Sequence, residues 1–246
     1  MSGRHDGRTA IVTGGAAGIG RGYAQRLAAE GAAVAIFDIA DGQDTVDLVT
    51  DAGGRAIAHR VDVANPEAVQ ASVATVTTQI GPVDILVNNA GIYPQIPLAE
   101  LTVEHWRRVF AVNVESMFTM IQAYSPAMKE RGWGRIINIS SNSIGLVIPN
   151  LTHYIAAKMA VIGLTRGAAT ELAEFGITVN AVGPSLIKTD NDSVPAALFE
   201  IVPQLQAIKR AQVPSDLDGM ISFLASDDAA FITAQTFWVD GGLIRT

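Results

Sequence analysis

The chain has 246 residues, 49% hydrophobic and 17% charged, with a net charge of −7 and a pI near 5.0. This composition provides for a sizeable core and excludes a disordered chain, while the acidic balance argues against a nucleic-acid partner, whose phosphates call for a basic face. The lack of cysteine excludes disulfides, thiolate chemistry and cysteine-held metal, and no metal site is read from the sequence.

The opening "MSGRHDGRTAIVTGG" has no signal-peptide core, and no apolar run reaches the roughly 18 residues of a membrane span. A cytoplasmic protein without a membrane partner is expected. Along the chain, "TAIVTGG" (9–15) reads as a strand and "GIGRGYAQRLAAEG" (18–31) as a helix stopped by glycine. A strand "AAVAIFD" (32–38) and a polar helix ending near "DAGG" (51–54) follow. Then come the strand "AIAHRVD" (56–62), a helix after "NPEAVQ" and the strand "VDILVNNAG" (83–91). A long helix over 102–129, the strand "GRIINIS" (134–140), a helix over 153–174 and the strand "ITVNAVGP" (177–184) continue the alternation. The helix "DLDGMISFLAS" (216–226) and the strand "TFWVDGG" (236–242) close it. Continuous apolar strands alternating with amphipathic helices predict one α/β Rossmann domain over 1–246: a doubly wound parallel sheet with helices on both faces. The exception is 185–215, a stretch with Pro195, Pro203 and Pro214 that is expected to be an irregular substrate-loop insert.

"TGGAAGIG" (13–20) occupies the junction between the first strand and helix, where glycines admit a pyrophosphate and a helix N-terminus supplies amide donors. Its glycines run Gly14, Gly18, Gly20, which departs from the commoner G-x-G-x-x-G spacing, so a purely structural turn stays open at this point. Asp38 ends the second strand 18 residues after Gly20, near the ~20-residue offset of an acid that binds a ribose diol. Its charge would repel a 2′-phosphate and neither Ala17 nor Ile39 is basic, which favours NAD over NADP. Tyr154 and Lys158 stand four residues apart on one helix face, where an ammonium beside a phenol is expected to lower the phenol's pKa from about 10.

These motifs together resemble the short-chain dehydrogenase/reductase family over nearly the whole chain. The resemblance implies that Gly14, Gly18, Ile19 and Gly20 form the phosphate turn, that Asp62 with Val63 in "VDV" lines the adenine pocket, and that "NNAG" supplies Asn89, Ala90 and Gly91 to the cofactor cleft. It assigns catalytic roles to Asn113 in "AVNV", to Ser141 thirteen residues before the tyrosine, and to Tyr154 and Lys158, the last two also touching the cofactor. Pro184, Ile187 and Thr189 of "GPSLIKT" would meet the nicotinamide carboxamide, although Ser185 stands where the family usually carries glycine. Ser143 is expected at the pocket edge and Ser140 on local backbone groups.

The resemblance extends to the branch that oxidises 1-phenylethanol-type alcohols, and implies an NAD-dependent alcohol dehydrogenase or ketone reductase that assembles as a homotetramer, a dimer staying open. Tyr93, Leu146, His153, Leu186, Leu198, Phe199 and Val202 are the pocket candidates; they are mostly apolar, with Lys188 the nearest cation, which points to a neutral small-molecule secondary alcohol or ketone. His153, next to Tyr154, is expected to pack rather than to exchange protons. A sugar, steroid or other cyclic alcohol as substrate, and a non-catalytic dinucleotide-binding scaffold, remain the alternatives.

Overall fold

The protein is seen in a computed structural model that describes residues 3–189 and 196–245. Its strands are β1 (Thr9–Thr13), β2 (Ala33–Asp38), β3 (Arg55–Arg60), β4 (Ile85–Asn88), β5 (Gly134–Ile139), β6 (Ile177–Pro184) and β7 (Thr236–Val239). They form one parallel sheet in the order β3-β2-β1-β4-β5-β6-β7. The order reverses between β1 and β4, and at such a switch point the carboxyl ends of the strands open a crevice.

Neighbouring positions of a strand point to opposite faces, so an apolar run feeds two cores. Ala10, Val12, Val34 and Ile36 pack with Tyr23, Ala24 and Leu27 of α1 (Gly18–Ala29), with Val49 of α2 (Gln43–Asp51), and with Leu217, Ile221 and Leu224 of α8 (Ser215–Leu224). Ile11, Ala35, Phe37, Leu86 and Ile136 face the other way. They meet Val69 and Val76 of α3 (Pro66–Ile80), Met120, Tyr124 and Met128 of α5 (Ser116–Arg131), and Ala169 and Leu172 of α6 (Thr152–Leu172). Local chemistry sets the helix ends: the Asn65 side chain accepts from the Ala68 N–H with Pro66 in the first turn of α3, and Gly132 ends α5 in the left-handed region at φ 66°.

Two expectations need correction. The long helix over 102–129 is α4 (Val103–Phe110) and α5 joined by a π turn over Ala111–Glu115, with Asn113 inside it. The 185–215 insert is not irregular throughout: "LFEIVPQL" forms α7 (Leu198–Leu205), which ends two residues beyond Pro203, whose ring removes a helix donor. Pro195 lies outside the described residues.

At the opposite end of the sheet, buried Asp84 accepts from the Thr9 N–H at 3.0 Å and lies 3.2 Å from Arg131 and 3.8 Å from Arg8. Asp84→Ala removes a charged acceptor shared by β1 and two arginines, and is expected to cost about 1.5–3 kcal/mol in urea unfolding. An unchanged midpoint would mean that these bonds only replace equivalent bonds to water.

Candidate active site

The crevice is built on the turn after β1. Gly14 (φ 65°) and Gly18 (φ 56°) adopt left-handed backbone, and a Cβ on Gly20 would stand 2.1 Å from the Gly14 carbonyl oxygen, so the turn closes only without side chains. Asn89 Nδ2 donates to the carbonyls of Thr13 (2.9 Å) and Gly14 (3.2 Å). In return Thr13 Oγ1 accepts from the Asn89 (2.9 Å) and Ala90 (3.0 Å) N–H groups. Asn89 is therefore a brace between β1 and β4 as well as a wall residue. No side chain caps the start of α1 and its first turn holds no acid, which leaves its N–H groups and positive dipole for an anion. This bare cradle, which a Cβ would fill, fits a pyrophosphate.

Asp38, at the end of β2, is half-buried; its two oxygens accept from the N–H groups of Ala16 (3.1 Å) and Ala40 (3.0 Å). The charge is thus held against the phosphate turn, with lone pairs left over. Arg60 pairs with Asp38 in the β2–β3 register, and its Nε donates to the Ile39 carbonyl at 3.0 Å. Beyond β3, Val63 is buried, while Asp62 is exposed and accepts from the Ala64 N–H at 3.0 Å. Across the crevice, Thr189 Cγ2 comes 3.5 Å from where a Cβ of Gly18 would lie, while Pro184 and Ile187 are buried at the exit of β6. Ile19 lies in the first turn of α1 and packs against the first core.

Deeper in, α6 presents Tyr154 and Lys158 one turn apart. Lys158 is 3% exposed; its Nζ donates to the Ile139 carbonyl at 2.8 Å and lies 5.6 Å from the Tyr154 ring centroid. Ser141 hydrogen-bonds Tyr154, and its Oγ also accepts from the Ser143 N–H at 3.2 Å. Ser140 instead donates to the Lys158 carbonyl at 3.0 Å. In the π turn, Asn113 Nδ2 donates to the carbonyls of Ile92 (2.9 Å) and Val109 (3.0 Å), while its buried Oδ1 has no partner. A Cβ on Gly91 would stand 2.6 Å from that Oδ1 and 3.5 Å from Lys158 Nζ, so this glycine keeps open the space where the two groups face each other. The Tyr93 ring meets the Tyr154 ring edge-on, with centroids 6.0 Å apart.

The expected electrostatics are corrected here. Burial dominates both members of the pair: it pushes the Tyr154 phenol up to about 12, against a lowering by the Ser141 hydrogen bond, and pushes Lys158 down to about 7. The ammonium is itself disfavoured by desolvation, and burial rather than the lysine governs the phenol. His153 is fully buried and neutral, its pKa lowered by burial and then by His105. Leu146, Leu186, Leu198, Phe199 and Val202 are half-buried. Among the described residues no cluster of histidine, aspartate or glutamate could hold a metal ion, and no helix is long and apolar enough to cross a membrane.

Reasoning from sequence missed Thr13 and Arg60. Thr13 opens the glycine motif and could have been singled out there; Arg60 emerges only from strand register.

A seven-stranded Rossmann sheet with this crevice defines a dinucleotide-binding α/β protein, and comparison with known proteins narrows the class. A family model described as enoyl-(acyl carrier protein) reductase matches residues 14–244. The chain is 37% identical to the cyclohexanol dehydrogenase of Acinetobacter sp., covering 98% of this chain and 96% of that protein. It is 39% identical to the 3-alpha-(or 20-beta)-hydroxysteroid dehydrogenase of Mycobacterium tuberculosis, covering 99% and 92%. A crystal structure from Beutenbergia cavernae, with NADP bound at low occupancy, superposes with a TM-score of 0.88 at 37% identity, over 97% of each chain. The chain belongs to the short-chain dehydrogenase/reductase family of oxidoreductases.

Proposed function

We propose that this protein is a cytoplasmic NAD-dependent secondary alcohol dehydrogenase, working in reverse as a ketone reductase, with an aryl-alkyl alcohol as its preferred substrate. The observation that carries the reading is the convergence of Ser141, Tyr154, Lys158 and Asn113 beside a glycine cradle. Gly14, Gly18, Ile19 and Gly20 would hold the pyrophosphate and Asp38 the adenosine ribose. Asp62 and Val63 would line the adenine pocket, Asn89, Ala90 and Gly91 the cleft wall, and Pro184, Ile187 and Thr189 the nicotinamide. When bound, the coenzyme supplies or takes up the hydride.

The proton is handled by the chain itself. Ser141 Oγ accepts a backbone N–H and bonds the Tyr154 hydroxyl, so the two hydroxyls meet at one point, where a substrate oxygen would take its place between them. Tyr154 takes the alcohol proton during oxidation and returns it during reduction. Lys158, buried and titrating at about 7, can take up or release a proton at working pH, and the orphaned Asn113 Oδ1 gives a water beside it an acceptor. With the phenol pushed up to about 12, the acid form predominates at neutral pH, which suits reduction and starves oxidation of base. Alcohol oxidation is therefore expected to speed up by about tenfold per pH unit from acid toward neutral pH, and ketone reduction to stay flat. Identical profiles in the two directions would contradict Tyr154 as the proton carrier.

Half-buried Leu146, Leu186, Leu198, Phe199 and Val202, with Tyr93 edge-on to Tyr154, support a neutral hydrophobic substrate. NADH formation with 1-phenylethanol, cyclohexanol, a hydroxysteroid and gluconate tests this, and is expected to be led by 1-phenylethanol; a panel led by gluconate would overturn it. Exposed apolar side chains on three helices (Val103 on α4, Phe118 on α5, Met159 on α6) support a homotetramer. Sedimentation velocity is expected to give four times the 25.9 kDa chain mass, and a monomer at micromolar concentration would refute it.

A further inference from the structure

Where β6 runs into the insert, a buried polar junction lies outside the proton-handling groups. The Ser185 hydroxyl donates to Gln206 Oε1 at 3.1 Å, and the Ser185 N–H donates to Gln212 Oε1 at 2.8 Å. Both glutamines are buried, at 3% and 6% exposure. Gln206 Nε2 donates to the carbonyls of Ile208 (3.0 Å) and Arg210 (2.9 Å), tying off the turn that follows α7. Gln212 Nε2 donates to the Val239 carbonyl at the end of β7 (2.6 Å), and Gln212 also pairs with Ile187 in an isolated parallel bridge. One glutamine thus grips the first residue of the 185–189 segment through its hydroxyl. The other grips the same residue through its backbone and runs alongside the segment's middle. The far end of that segment, Thr189, faces Gly18 of the phosphate turn.

Apolar packing would fill this space without fixing a direction, whereas buried amides bonded at both ends hold the backbone to one position. We propose that Gln206 and Gln212 are positioning residues for the coenzyme: through Ser185 and Ile187 they set the height of the 185–189 segment over the phosphate turn, and with it the orientation of the nicotinamide. The inference rests on the functional reading above. It predicts that loosening the junction weakens coenzyme binding and lets the ring present either face, without touching the groups that hold the substrate oxygen.

The test uses Gln212→Met, which keeps side-chain length and removes both bonds, and the milder Ser185→Ala, which removes only the hydroxyl bond to Gln206. NADH affinity is read by fluorescence, and the face of deuterium delivery by NMR of the reduced coenzyme formed from an α-deuterated alcohol. Gln212→Met is expected to weaken NADH binding by about tenfold and Ser185→Ala by about threefold, the scale of one or two buried hydrogen bonds. Both are expected to show deuterium on the second face, with the alcohol KM at saturating coenzyme little changed. Folded variants with parental affinity and a single labelled face, even if less heat-stable, would overturn the proposal and reduce the junction to scaffolding. If Gln212→Met does not fold, Ser185→Ala decides by the same two readouts. A parent protein that binds no dinucleotide would overturn the functional reading itself. A parent that binds and turns over, with variants that match it, would overturn only the role of the glutamines.

Discussion

Replacing Tyr154 with phenylalanine is expected to lower alcohol turnover by about 10²–10⁴-fold, the usual contribution of a positioned general acid–base. The substitution keeps the ring, and with it the edge-on contact to Tyr93, and removes only the hydroxyl that bonds Ser141. Ser141 retains the Ser143 N–H, so the serine stays in place. NADH affinity is accordingly expected to stay near that of the parent, and the loss to fall on kcat. Because burial holds the phenol up at about 12, the variant should also lose the rise of oxidation rate with pH. Turnover within tenfold of the parent would remove Tyr154 from the proton path and with it the proposed chemistry.

The second large effect concerns coenzyme choice. Asp38→Asn keeps the shape at the end of β2 and an oxygen for one of the two N–H groups, Ala16 or Ala40, while deleting the charge. A charged hydrogen bond contributes about 1.5–3 kcal/mol, so NADH binding is expected to weaken by about 10- to 150-fold. NADPH binding should strengthen at the same time, because the 2′-phosphate no longer meets a carboxylate and Arg60 stands in register beside it. Titrating both reduced coenzymes into parent and variant checks this. A parent that prefers NADPH, or a variant whose preference does not move, would show that Asp38 does not set the choice.

The sheet was legible because a strand covered on both sides must be apolar throughout, and the long runs ending at Thr13, Asp38, Asn88, Ile139 and Pro184 are of that kind. The glycine turn was legible for a related reason: close backbone approach excludes every other residue, as at Gly20. Spacing put Tyr154 and Lys158 on one helix face, but spacing carries no information on burial, and burial reversed the expected direction for the Tyr154 phenol and lowered Lys158 as well. The π turn left no trace either, since Asn113 sits in an ordinary helical pattern and its bond to the Ile92 carbonyl, 21 residues earlier, is a long-range contact. Likewise Ser185 read only as a departure from glycine, because its partners Gln206 and Gln212 follow more than twenty residues later, beyond a helix that two prolines obscured.

That widened turn has a bearing on the scaffold as well as on Asn113. One residue advances an α-helix by about 100°, so an extra residue looped out at 111–115 rotates everything after it by that amount relative to an unbroken spiral. With this offset in place, the row of Met120, Tyr124 and Met128 is buried in the second core. Deleting Val112 to restore an even helical pitch is thus expected to turn α4 and α5 relative to one another by about 100°, which sets the burial of three large side chains on α5 against the placement of α4.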